Sequence, residues 1–248
     1  MTVVEVCLDD VAGARVAEDA GADRLELCAG LAEGGTTPSI GTVEAVLGTV
    51  RSIGVNVLVR PRGGDFVHTP DEVGVMCADI RAVTRLRAGS PLPVGFVLGA
   101  LTPDGEVDVP VLRTLLEACG DAPVTFHRAF DATRDLAAAL DVLIRLGVAR
   151  VLTSGGRATA LDGAAALAGL VGRAEGRITV MAGGSVRGGN VAEIVARTGV
   201  PEVHLRAPAV VPGRSRHRNP HLGYDTGERT VTAAEPILDV RCRLSRAL

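Results

Sequence analysis

Residues 123–154 read PVTFHRAFDATRDLAAALDVLIRLGVARVLTS, and this stretch sets the frame for the whole chain. A short apolar and aromatic run at 123–129 is followed by an Ala/Leu-rich segment from Asp135 to Leu146. The apolar positions Leu136, Leu140, Leu143 and Ile144 recur at helical spacing. Gly147 supplies a helix stop, and a second short apolar run fills 150–154. Strand, helix, strand in that order is a parallel crossover unit.

The same alternation extends in both directions. Strand candidates lie at 3–9, 23–28, 55–61, 93–100, 123–129, 150–154, 177–183 and 202–207, with amphipathic helical patterns between them. Eight such repeats predict a closed (β/α)8 barrel as a single domain over residues 1–248, with an open doubly wound sheet as the alternative. No Pro/Ser-rich linker divides the chain. After the last strand, Pro208 to Tyr224 reads as irregular, and a helix is expected from there to the C-terminus.

Composition excludes several functions. The formal net charge is −3, and no basic run is interleaved with aromatics, which argues against nucleic acid. Arg214-Ser215-Arg216-His217-Arg218 reads as a solvated loop. No run of about 18 apolar residues suggests a membrane span, and Met1-Thr2-Val3-Val4-Glu5 reads as the first strand rather than an export signal. The five cysteines are odd in number and scattered, which predicts reduced thiols in a cytoplasmic protein. All 26 basic residues are arginine. Schiff-base chemistry needs a lysine amine, so a lysine-type aldolase and a pyridoxal enzyme anchored on its own lysine are excluded. No nucleotide-binding fingerprint occurs, and no nucleotide cofactor is expected.

Strand phase carries the argument to a site. Alternate side chains of a barrel strand face the helices or the interior. Val4, Val6 and Leu8 form one apolar set, leaving Glu5, Cys7 and Asp9. Leu25 and Leu27 leave Arg24, Glu26 and Cys28. Val57 and Val59 oppose Leu58, Arg60 and Arg62; Val124 and Phe126 oppose Thr125 and His127; Val203 and Leu205 oppose Glu202, His204 and Arg206. The inward set therefore gathers Glu5, Glu26, Arg60, His127 and His204, and Thr153 is expected to join them. Buried charges need partners, so these residues either close the barrel as a polar plug or form a site at the carboxyl ends of the strands.

The blocks Leu25-Glu26-Leu27-Cys28-Ala29-Gly30 through Pro38-Ser39, Arg60-Pro61-Arg62-Gly63-Gly64-Asp65-Phe66, Thr125-Phe126-His127-Arg128-Ala129-Phe130-Asp131, Leu152-Thr153-Ser154-Gly155-Gly156, Met181-Ala182-Gly183-Gly184 with Asn190, and Glu202-Val203-His204 resemble the CutC family, in order, over residues 3 to 207. The resemblance implies a barrel, a cytoplasmic location, a role in copper tolerance and a homo-oligomer. The family's proposed copper ligands are cysteines, and Cys7 and Cys28 match those positions. His68 replaces a frequent aromatic, and Leu205-Arg206-Ala207-Pro208 replaces a small, Ser-rich stretch.

Three functions stay open. Cys7 and Cys28 share the inward phase on adjacent strands, and thiolates suit Cu(I). Alternatively, an isomerase, lyase or hydrolase acts on a small phosphorylated or carboxylated metabolite. Arg60 and Arg62 would then grip the anion, and the turns of Ser154-Gly155 and Gly183-Gly184 would supply backbone donors. His127 or His204 would act as acid or base, with Glu5 or Glu26 orienting it. A divalent metal on His127, His204, Glu5 and Glu26 is the weaker metal reading, because Arg60 repels a cation. The third possibility is a non-catalytic binding or scaffold protein.

Overall fold

The computed structural model describes residues 2–246 except 220, 222, 224 and 225. Eight strands, β1 (Val3–Leu8), β2 (Arg24–Leu27), β3 (Gly54–Leu58), β4 (Val94–Leu98), β5 (Val124–Phe126), β6 (Arg150–Thr153), β7 (Thr179–Ala182) and β8 (Glu202–Arg206), close into a parallel barrel in chain order. β8 pairs back onto β1, Glu5 opposite His204, so the open sheet is excluded. Helices α1 (Val11–Asp19), α2 (Ile40–Leu47), α3 (Pro70–Arg87), α4 (Val109–Cys119), α5 (Leu136–Arg145), α6 (Ala164–Ala174) and α7 (Gly188–Thr198) lie between successive strands, and α8 (Ala234–Arg246) follows the barrel. Among the described residues no helix is long and apolar enough to cross a membrane.

Local chemistry places these helices. Asp10, Ser39, Asp108 and Asp135 cap α1, α2, α4 and α5 by accepting backbone N–H bonds at the helix start. Thr69 and Glu72 form a reciprocal capping box on α3, with Pro70 in its first turn. Gly147 takes a φ of 73° just past α5, a conformation glycine adopts without strain.

The outward strand residues, among them Val4, Val6, Leu25, Leu27, Val57, Phe96, Phe126, Val151 and Val203, pack with the helices into one continuous apolar layer. A second, small cluster of Cys7, Cys28, Leu58 and Val97 fills the barrel interior. Below it lies an ionic plug. Arg24 bridges Glu5 and Glu202, and Arg150 bonds Glu202 and Thr125. The polar-plug reading is thus realised at this depth.

Two expectations are corrected. Thr153 does not join the inward set. Register pairs Thr153 with Ala182 and Ala182 with Val203, all on the helix-facing side, so Leu152 is the inward residue. The stretch from Pro208 is not wholly irregular. β9 (Pro208–Pro212) and β10 (Glu228–Thr232) form an antiparallel pair. Prolines at both ends made β9 read as loop, and its partner β10 occupies residues expected to be helical. Thr232 Oγ1 donates to Asp10 Oδ2 at 2.9 Å, tying this arm to the start of α1. Tyr224, the expected end of that stretch, lies outside the described residues.

Candidate functional site

Four buried side-chain atoms lack a hydrogen-bond partner among the described residues: Glu26 Oε2, Arg60 Nε, His68 Nδ1 and His127 Nε2. Buried polar atoms are rarely left unpaired, and each such atom needs an explanation. Three of these residues line one cavity of about 130 Å³ inside the barrel. Cys7, Glu26, Leu58, Arg60, Phe66, His127, Leu152 and His204 form its floor and walls. A larger groove near Pro93 and Pro123 has none of this chemistry.

The floor is built by register. Cys7 pairs with Glu26 across β1 and β2, and Glu5 pairs with His204 across β1 and β8. One atom each from Cys7, Glu26 and His204 lie within 4.8 Å of one another, as metal ligands would. Cys28 Sγ is 3.4 Å from Cys7 Sγ and 3.4 Å from Glu26 Oε1. His204 Nδ1 lies 2.9 Å from Glu5 Oε1 and 3.7 Å from Glu26 Oε2. Glu5 also accepts from Arg24 Nε at 2.5 Å and Asn56 Nδ2 at 3.0 Å.

Burial alone would raise the Glu5 carboxyl, but the His204 and Arg24 bonds hold it down at about 2. Burial and the neighbouring Cys7 push Glu26 up to about 8. The Cys28 hydrogen bond, against burial, brings Cys7 down to about 6, with His204 assisting. Cys28 moves well up because it donates to Cys7 and is buried. Burial opposes charge on His204, yet Glu26, Cys7 and Glu5 raise it well above the ordinary imidazole value. The floor therefore favours a thiolate at Cys7 and positive charge at His204, and disfavours charge on Cys28 and Glu26. Such a thiolate is a soft ligand and a nucleophile.

The roof differs in character. His127 sits on the segment after β5, and its Nδ1 accepts the Ala129 N–H at 3.1 Å. Burial, then Arg60 and His68, hold its pKa down at about 3, so the ring is neutral and Nε2 carries the proton. The ring lies 5.0 Å from that of Phe66, which also carries the Arg60 guanidinium at 5.0 Å. Arg60 donates to the carbonyls of Glu33, Gly35 and Gly64, clamping the β2 and β3 loops together.

The structure places Cys7, Glu26, Arg60, His127 and His204 around one cavity, with Glu5 and Cys28 bonded to its floor residues. It does not bring the other candidates there. Arg62 is committed to Glu72, Asp65 and nearby carbonyls. The Ser154 and Gly156 amides and the Thr153 hydroxyl all donate to Asp131, while the Gly155 amide donates to Thr153. The protein's own carboxylate thus occupies the turn expected to hold a substrate anion. Gly183 instead makes room: a Cβ there would fall 2.5 Å from Leu152 Cδ1 and 3.5 Å from His204 Cβ. Gly184 turns at a φ of 107°, and its carbonyl accepts from Ala160. Strand phase overlooked Phe66, Arg128 and Asp131 because they lie beyond the strand ends, Phe66 on a loop and the other two on a short 3-10 helix, Arg128–Ala132. The spacing of Arg128 and Asp131, three residues apart and paired at 2.8 Å, was the available signal.

Residues 2–209 match the CutC family. A CutC family protein of Xylella fastidiosa is 45% identical over 234 residues, covering 94% of this chain and 85% of that protein. The human copper homeostasis protein cutC homolog is 45% identical over 217 residues, covering 88% of this chain and 77% of that protein. A crystal structure of CutC from Streptococcus agalactiae superposes with a TM-score of 0.76 at 33% identity, over 82% of this chain and 98% of that one. A phosphoribosylanthranilate isomerase from Pyrococcus furiosus reaches a TM-score of 0.57 at 12% identity, over 99% of this chain and 100% of that one, a likeness of fold alone.

Proposed function

The chain belongs to the CutC family, and on that premise we propose that it handles copper by holding Cu(I) at the barrel floor. One observation carries this reading: Cys7, Glu26 and His204 offer ligand atoms within 4.8 Å, with Cys28 in contact with two of the three. Thiolate and imidazole suit a soft ion. The unpartnered Glu26 Oε2 faces the same cluster, so the residues present fit such an ion. The cysteine pair expected from sequence becomes a mixed set, because Glu26 and His204 share its layer. Arg60, whose charge argued against a cation, belongs to the roof.

Titration of the anaerobic protein with Cu(I) against a competing chelator tests this. Cys7→Ser is expected to lower affinity by at least about 100-fold, roughly the scale of losing a charged ligand, and Cys28→Ser by less. Binding should release protons, since the coordinating groups must be deprotonated. Unchanged affinity in both variants would remove the copper site.

A further inference from the structure

Arg60 is 6% exposed and forms no ion pair among the described residues; its bonded partners are backbone carbonyls. Three of its five N–H groups are used there, leaving Nε and one N–H of Nη2. A buried cation with no ion-pair partner is costly, and a guanidinium with open N–H donors suits a carboxylate. Sharing Phe66 as a neighbour, His127 is 5% exposed and presents a second unpartnered N–H, its other nitrogen fixed by Ala129. Both residues line the same cavity, whose walls Leu58, Phe66 and Leu152 are apolar. Arg128 at the rim is already neutralised by Asp131.

We propose that this roof is a binding site for a small monocarboxylate, its carboxylate held by Arg60 and the Nε2–H of His127 and its short carbon chain laid against Leu58, Phe66 and Leu152. One unpaired positive charge calls for one negative charge. A dianion such as phosphate would bring a second negative charge that Arg60 alone does not match. The cavity is small, which suits an acid of a few carbons. The site uses donors absent from the copper cluster, so it stands whether or not the floor takes Cu(I).

The test uses metal-free full-length protein, with lactate as the probe, lactamide as its neutral isostere, and inorganic phosphate. Lactate should raise the melting temperature saturably, with lactamide and phosphate at least about tenfold weaker, the scale of one charge-assisted hydrogen bond. His127→Phe and Arg60→Gln should each weaken lactate by a similar factor. Arg60→Gln also unclamps two loops, so the wild-type His127 imidazole resonances provide a second readout and should shift on lactate binding. No saturable lactate effect, equal binding of lactamide or phosphate, or His127 resonances unmoved at saturation would each overturn the proposal.

Discussion

His204 Nδ1 lies 2.9 Å from Glu5 Oε1, an ion pair that joins the barrel's ionic plug to its reactive floor. Through Glu5, the imidazolium beside Cys7 is tied to Arg24 and then to Glu202 and Arg150. Removing one member of a buried charge set costs more than the set contributes, typically about 3–5 kcal/mol. Glu5→Gln is therefore expected to destabilise the fold by about that amount, measured by urea unfolding. Glu5 holds a folded pKa near 2 against an ordinary 4.5. Its contribution is complete above the higher value and is lost as pH falls toward the lower one. The gap between wild type and variant should therefore close in acid. A gap independent of pH would show that Glu5 acts by shape alone.

Glu26 behaves in the opposite sense. Its folded pKa is raised to about 8 from 4.5, so the unfolded chain releases the proton first. Its contribution is present in acid and declines as pH rises through the interval between those values. Glu26→Gln keeps the neutral form at every pH. The variant should match wild type near the acid end and exceed it by roughly a few kcal/mol near the alkaline end. Paired denaturation curves across that interval check this; parallel curves would contradict it.

How far the sequence reveals this site depends on where each residue sits. Alternation works where a strand is long enough to show two apolar positions against two polar ones. Val4-Glu5-Val6-Cys7 and Leu25-Glu26-Leu27-Cys28 are such cases, and they deliver the floor. β6 is as short as β2, but Thr153 follows an inward leucine rather than an inward polar residue. Polarity alone therefore assigned it to the wrong face. The roof was half legible. Arg60 and His127 continue the strand phase just past β3 and β5. Their state depends on contacts from the β2 loop, the β3 loop and Ala129, which no local pattern encodes.

Asp131 exemplifies the tertiary part. It accepts from Thr153 Oγ1 at 2.5 Å, Ser154 N at 3.1 Å, Gly156 N at 3.0 Å and Arg128 Nε at 2.8 Å. Asp131→Asn keeps the size but loses the charge and one acceptor, leaving buried donors short of partners at about 1–3 kcal/mol. The Ser154 and Gly156 amides should exchange with solvent faster in the variant, while the Thr125 region of β5 stays protected. Unaltered exchange at both amides would mean the turn holds itself without the carboxylate.

Gly99 tests the roof without altering a donor. A Cβ at this position would fall 2.5 Å from His127 Cε1 and 2.7 Å from its Nδ1. The ring therefore occupies space that only glycine leaves open. Gly99→Ala must push the imidazole aside, at about 1–3 kcal/mol for an overpacked interior, and should break its bond to the Ala129 amide. With Nδ1 released, nothing fixes the proton on Nε2. Lactate binding should fall at least as far as in His127→Phe. Cu(I) affinity should stay within about twofold, because the floor residues take their positions from β1, β2 and β8. Full lactate binding in Gly99→Ala would show that the carboxylate is held elsewhere; a parallel loss of Cu(I) would show that roof and floor form one site.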